Sequence, residues 1–172
     1  MPAPAHRLEC YRHRVSGLGG IVRKWAKTDL LWWAEDRLIP AFVDASARWT
    51  SVCALNLRQT DDASEADIVA TFADIDGSSG TLAYAYFPGV PGRKPDPIHG
   101  DVFVEPADFD PAPHEGRVEI IAHELGHSIG IEHHEAASKR HTLMAPYYNG
   151  PRNGKLFPED IKAAQRLYPL SR

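Results

Sequence analysis

Apolar and polar residues change their spacing several times along this chain, and each change marks an element. The run DLLWW at residues 29–33 is short, apolar and aromatic, as a buried strand is. Over residues 40–49 the period lengthens, and Ile39, Phe42, Val43 and Trp49 fall near one face of a helix. Three runs rich in β-branched and aromatic residues come next, at 54–57, 66–72 and 81–87, separated by the turn-forming stretches DDASE and DGSSG. GDVFVE at 100–105 reads as a fifth strand. Pro88, Pro91, Pro95 and Pro97 are interspersed with Gly89, Gly92 and Gly100, so residues 88–100 form an irregular loop. Helical spacing returns after Pro113 with Val118, Ile121, Ala122, Leu125 and Ile129, and Gly130 is placed to end it. A last helix at 158–168 has proline at its first position, acids in its first turn and Pro169 past its end. This order predicts an α+β domain, a five-stranded mixed and twisted sheet carrying three helices.

The chain has 172 residues, 43% of them apolar and 24% charged, with a net charge of -4. That length suits one domain, assigned to residues 24–172, with an N-terminal extension at 1–23. The charges are mixed in sign and no basic stripe runs beside aromatics, which argues against nucleic-acid binding. No apolar run reaches the ~18 residues of a membrane span. The basic first residues lack the apolar core of a secretory signal. Cys10 and Cys53 permit only one internal disulfide and leave the redox compartment open.

The chemistry concentrates in residues 123–133, HELGHSIGIEH. His123 and His127 are four apart on a helix, so both imidazoles share one face and can reach one ion. Neutral imidazole suits zinc, whose catalytic sites take three protein ligands and keep one position for water. Glu124 can accept that water's proton once the metal has lowered its pKa toward about 7. A bare pair of this kind also arises where His and Glu line a solvated helix face. Gly130 and His133 decide between the two, because the glycine allows a sharp turn that returns a third imidazole to the metal. Downstream, residues 142–148 read TLMAPYY; a lone methionine there would otherwise be core filler. His6, His13, His99, His114, His134 and His141 have no ligand spacing and read as surface residues.

A zinc motif followed by a methionine turn resembles the metzincin peptidases, and the M-x-P-x-Y turn resembles their matrixin branch. The likeness is colinear over residues 24–168, through KWAKTDLLWW, EADIVATF, LAYAYFPG, IIAHELGHSIGIEH and PEDIKAAQRLYP. It implies an extracellular zinc metalloendopeptidase, a monomer, acting on protein or peptide substrates laid along the 81–87 edge strand. It puts Met144 beneath the metal, and Glu119, Leu82, Ala83, Pro146 and Tyr148 around the pocket for the side chain after the scissile bond. Glu119 has two open readings: it faces this pocket and favours long basic or amide side chains, or it turns outward to water. The resemblance also implies a calcium site at Asp76, Glu105 and Asp108, with the carbonyls of Gly77, Ser79 and Thr81.

Other features depart from the family. Its second, structural zinc is not expected, because two of the histidine positions hold Tyr84 and Phe103 and the loop shortens to residues 73–80. Matrixin pro-segments close the metal with a cysteine thiolate, and Cys10 lies upstream of the domain. The run Glu9-Cys10-Tyr11 lacks the proline, arginine and glycine that frame such a cysteine, so an exposed thiol without a role stays open as the alternative. Two rival functions also stand at this point: a zinc-bearing module that binds peptide without cutting, and a peptidase of another metzincin branch. Glu124, which is not a ligand, argues against the first, and M-x-P-x-Y argues against the second.

Overall fold

Leu30, Trp32 and Ala34 are buried at alternate positions of the first core strand, while Leu31 and Trp33 stay partly exposed, the pattern of a sheet covered on one face. The structure, a computed structural model, describes the backbone of residues 6–11 and residues 22–90, 92–94, 96–134, 142–148 and 154–170. Its elements are β1 (His6–Tyr11), β2 (Asp29–Ala34), α1 (Ile39–Thr50), β3 (Asn56–Gln59), β4 (Ile68–Phe72), β5 (Thr81–Tyr86), β6 (Val102–Val104), α2 (Pro106–Phe109), α3 (His114–Ser128), β7 (Tyr147–Tyr148) and α4 (Pro158–Leu167).

The five expected strands are adjacent in the order β3-β2-β4-β6-β5, parallel except for the antiparallel pair β5–β6. The long helices α1, α3 and α4 are the three expected, and the short α2 was not foreseen. Its N-cap is Glu105, whose side chain accepts the Ala107 N–H. Two local expectations shift. Val43 is 45% exposed, because α1 buries Ala41, Phe42, Ala45, Ser46 and Trp49 instead. The strand expected at 54–57 begins two residues later, since Ala54 N–H is bonded to the Tyr168 carbonyl rather than to β2.

The larger departure is at the sheet edge. β5 was expected to be an open edge strand, but β1 pairs with it in parallel, from Arg7 opposite Thr81 to Tyr11 opposite Tyr86. β1 in turn pairs with β7 in antiparallel fashion, so the N-terminal strand fills the slot between β5 and residues 147–148. An edge of unpaired N–H and C=O groups is a template for another strand, and here the chain's own N-terminal segment supplies it.

On the covered face, Phe42, Trp49, Ile121, Leu125 and Ile129 pack against Leu30, Ile68 and Val104 in one core. Trp49 also donates its indole N–H to the Ala122 carbonyl at 2.9 Å, which ties α1 to the middle of α3. Among the described residues no helix is long and apolar enough to cross a membrane.

Candidate metal centre

α3 is unusual in burying polar groups along its last turns: Glu119, His123, Glu124, His127 and Ser128 are each 0% exposed. The helix sinks into the domain between sheet and α1, so these groups must find partners inside it. His123 Nδ1 lies 2.8 Å from the Leu143 carbonyl, and His127 Nδ1 lies 2.7 Å from the Ile131 carbonyl. A carbonyl only accepts, so each Nδ1 carries the proton and each Nε2 presents a lone pair. The three Nε2 atoms of His123, His127 and His133 then meet at 3.1–3.2 Å from one another. A tetrahedral ion with bonds of about 2.05 Å needs nitrogens about 3.3 Å apart, so the triad fits zinc. Burial, followed by the neighbouring His123 and His133, holds the His127 pKa well below its usual value, which keeps it a neutral ligand. Among the described residues this is the one group of three ligand-type side chains brought within 4.8 Å.

Glu124, the residue after His123 on α3, has both carboxylate oxygens buried and no hydrogen bond to either. Burial raises its pKa well above the ordinary carboxylate value. Such an orphan is costly in a folded interior and marks a group waiting for a proton or a ligand.

The third ligand depends on a turn. Gly130 has φ +105°, and a Cβ there would come within 2.1 Å of the Arg23 carbonyl oxygen. The turn closes with Gly130 N–H on His127 O and Ile131 N–H on Gly126 O, each at 2.9 Å. The segment just after the N-terminal extension braces it from outside. Trp25 donates its indole N–H to Ser128 O at 2.8 Å and its backbone N–H to the Tyr168 hydroxyl at 3.0 Å, and that hydroxyl donates to Ile129 O at 2.8 Å.

Sequence reasoning missed Asp160. It was read as a first-turn acid of α4, yet it is 0% exposed and accepts bonds from Thr142 Oγ1, Leu143 N, Met144 N and Phe157 N. It therefore fixes the methionine turn whose Leu143 carbonyl orients His123. Met144 is fully buried, and a Cβ on Gly126 would approach its sulfur to 2.5 Å, so the glycine between the two helix ligands is what admits the methionine. No local sequence signal identifies either partnership.

The remaining site residues fall in three groups. Leu82 (5% exposed) and Ala83 (0%) lie at the start of β5, and Glu119 sits one turn before His123, buried rather than turned to water. Pro146 is half-buried; Tyr148 lies in β7, its side chain outside the described residues. The carboxylates assigned to calcium accept backbone N–H groups of the same loop. Asp76 accepts from Thr81 N–H, Asp108 from Ser79 N–H, and Glu105 from Ile75, Asp76 and Gly77 N–H, which leaves Asp108 Oδ2 buried without a hydrogen bond. Burial pushes Glu105 up, but its backbone N–H partners outweigh this and hold it below its usual pKa. At the two positions where the family's second zinc has histidines, the Tyr84 and Phe103 rings stack at 5.0 Å. Of the other histidines, His99 packs on Trp25 and His114 bonds Asp44 at 2.8 Å, while His6, His13 and His141 have side chains outside the described residues.

A twisted mixed sheet over a zinc-motif helix, a glycine turn to a third histidine and a methionine floor define a metzincin-type metal centre. The chain belongs to the matrixin family, which its sequence matches over residues 27–169. It is similar to matrix metalloproteinase-15 of Homo sapiens, 40% identical over 60% of this chain and 16% of that protein. It is 34% identical to macrophage metalloelastase of Rattus norvegicus over 74% of this chain and 28% of that protein. Stromelysin-1 of Equus caballus is 32% identical over 84% of this chain and 33% of that protein. The chain thus spans about a third or less of the length of these relatives.

Replacing Gly130 by alanine should cost at least ~2 kcal/mol, from left-handed backbone strain and the clash with Arg23 O. Thermal melting should fall by about 4–8 °C for a domain of this size, and a chelator should strip zinc more readily. An unchanged melt and unchanged zinc retention would remove the turn from the account.

Proposed function

We propose that this chain is a zinc-dependent metalloendopeptidase that cuts internal peptide bonds of proteins, with His123, His127 and His133 holding the metal and Glu124 moving the proton. The observation that carries this is the pairing of three converging imidazole lone pairs with an adjacent buried carboxylate that has no partner. A structural zinc site would take a fourth protein ligand and would have no use for that orphan, which disfavours a module that only binds.

When bound, zinc supplies a Lewis acid for the scissile carbonyl and lowers the pKa of the attacking water. Glu124 takes the water's proton, and its raised pKa suits it to keep that proton until it is delivered to the leaving amine. β5 offers its backbone N–H and C=O groups to an extended peptide, which binds as an added strand without reference to chain ends, so cleavage is internal. Leu82, Ala83, Glu119, Pro146 and Tyr148 form the pocket for the side chain after the cut, with the Glu119 carboxylate favouring long basic or amide side chains. The enzyme works as a monomer outside the cell.

The part of the N-terminal extension that carries β1 then acts as a pro-segment. β1 supports this reading, because it already fills the strand position beside β5 that a substrate needs, with Cys10 opposite Ala85. Release of β1 opens the cleft, and in the closed state the Cys10 thiolate would supply the metal with a further ligand.

Three outcomes follow. Glu124→Ala should retain one zinc per chain by elemental analysis and lose at least ~10²-fold in cleavage of a quenched peptide; near-normal turnover in the zinc-loaded variant would end the mechanism. Cys10→Ser should raise the initial rate of the intact chain about tenfold, equivalent to roughly 1.4 kcal/mol of lost blockade, whereas an unchanged rate removes the thiol from latency. Cleavage-site profiling of Glu119→Leu should show lost tolerance for lysine, arginine and glutamine after the scissile bond; preferences identical to wild type would leave Glu119 no part in specificity.

A further inference from the structure

Arg23 lies on a main chain packed against the Gly130 turn. Its carbonyl oxygen occupies the notch left by Gly130. The next two residues are pinned as well: Lys24 Nζ donates to Leu167 O at 3.3 Å, and Trp25 bonds Tyr168 and Ser128. From this anchored backbone the Arg23 guanidinium lies over the Phe87 ring, 5.5 Å from its centroid. Phe87 directly follows β5, is 8% exposed, and meets the imidazole of His127 edge-on at 5.4 Å. A permanent cation therefore stands one aromatic ring away from a metal ligand, half-buried and still reachable from solvent. Among the described residues the ion pairs of the surface involve Lys27, Arg37, Arg48 and His114, and none involves Arg23.

A guanidinium held in place beside an aromatic face has its fork of donors ready for a carboxylate, and little further ordering is needed to form the pair. The side of the cleft follows from β5. The pocket assigned to the side chain after the scissile bond begins at Leu82 and Ala83, whereas Phe87 is four residues further along. Laid antiparallel to β5 with the residue after the cut opposite Ala83, a peptide at about 3.3 Å per residue brings the residues three or four positions before the cut to Phe87. We propose that Arg23 is a specificity residue that selects an acidic side chain, aspartate or glutamate, three or four residues before the scissile bond. This rests on the peptidase reading and on the strand-addition pose.

The test compares quenched peptides that differ only in aspartate, asparagine or lysine at those two positions, on the full zinc-loaded chain. Rates are read as ratios between peptides on one protein sample, so any fraction closed by β1 cancels. Wild type should cleave the aspartate peptide about three- to tenfold faster than the asparagine one, mainly through KM, with the advantage shrinking as salt rises. Arg23→Gln should abolish the ratio, Arg23→Lys should keep part of it, and Arg23→Glu should turn it toward lysine. The zinc-loaded Glu124→Ala chain, titrated with the same peptides in a fluorescence binding assay, should show the same acidic preference without turnover. Cleavage with no acidic preference, or a preference that survives in Arg23→Gln, overturns the role of Arg23 and leaves the peptidase reading standing. Failure of wild type to cleave any of the peptides overturns both.

Discussion

Three imidazole nitrogens with lone pairs turned to one point, 3.1–3.2 Å apart, repel one another, and much of this fold is arranged to hold them there. Protonation could relieve the repulsion only by creating buried charge, and burial with its neighbouring imidazoles already keeps His127 neutral. What remains is to fix the rings by their other nitrogens. Leu143 O and Ile131 O do this for His123 and His127, and both carbonyls belong to irregular segments that would not hold their direction alone.

Each carbonyl is therefore braced by a part of the chain remote in sequence. Asp160 on α4 gathers Thr142, Leu143 and Met144 around one buried carboxylate, whose desolvation is offset by four hydrogen bonds. Ile131 is set by the Gly130 turn, which packs against Arg23 O on one side and is tied through Ile129 O to Tyr168 on the other. Trp25, near the start of the domain, and Tyr168, near its end, meet behind the same turn. The metal geometry is thus a property of the closed domain rather than of α3 alone.

That distinction explains what could be read from residues. The run HELGHSIGIEH carries its geometry locally: four residues of helix align two imidazoles, and a positive-φ glycine returns the third. Helix positions and the five core strands follow from apolar periods of similar range. Asp160 looks the same in sequence as any acid in a helix first turn, since its methionine-turn partners lie sixteen to eighteen residues upstream in an irregular segment. HRLECY, too, gives no sign of its partner, because β1 pairs with a strand more than 70 residues away. Val43 was misplaced for a similar reason: α1 buries Ala41 and Ala45, and small residues are invisible to a search for large apolar ones. Glu119 was undecidable from helical spacing, which gives its angle around α3 and not what covers that angle.

The loop at residues 73–80 shows the same logic without a metal-site motif. A structural zinc can contribute roughly 10–16 kcal/mol to ordering the chain around it, far more than stacked rings at about 0.5–1.5 kcal/mol per pair. Tyr84 on Phe103, with Tyr86 edge-on to both, cannot replace such an ion energetically. Ordering costs about 1–2 kcal/mol of backbone entropy per residue, so a short loop has less to compensate. The eight residues left are gathered by Glu105 and Asp108, whose carboxylates accept four of the loop's own N–H groups, at Ile75, Asp76, Gly77 and Ser79. The loop is thus held from both sides, by the carboxylates of Glu105 and Asp108 and by an aromatic ladder on β5 and β6.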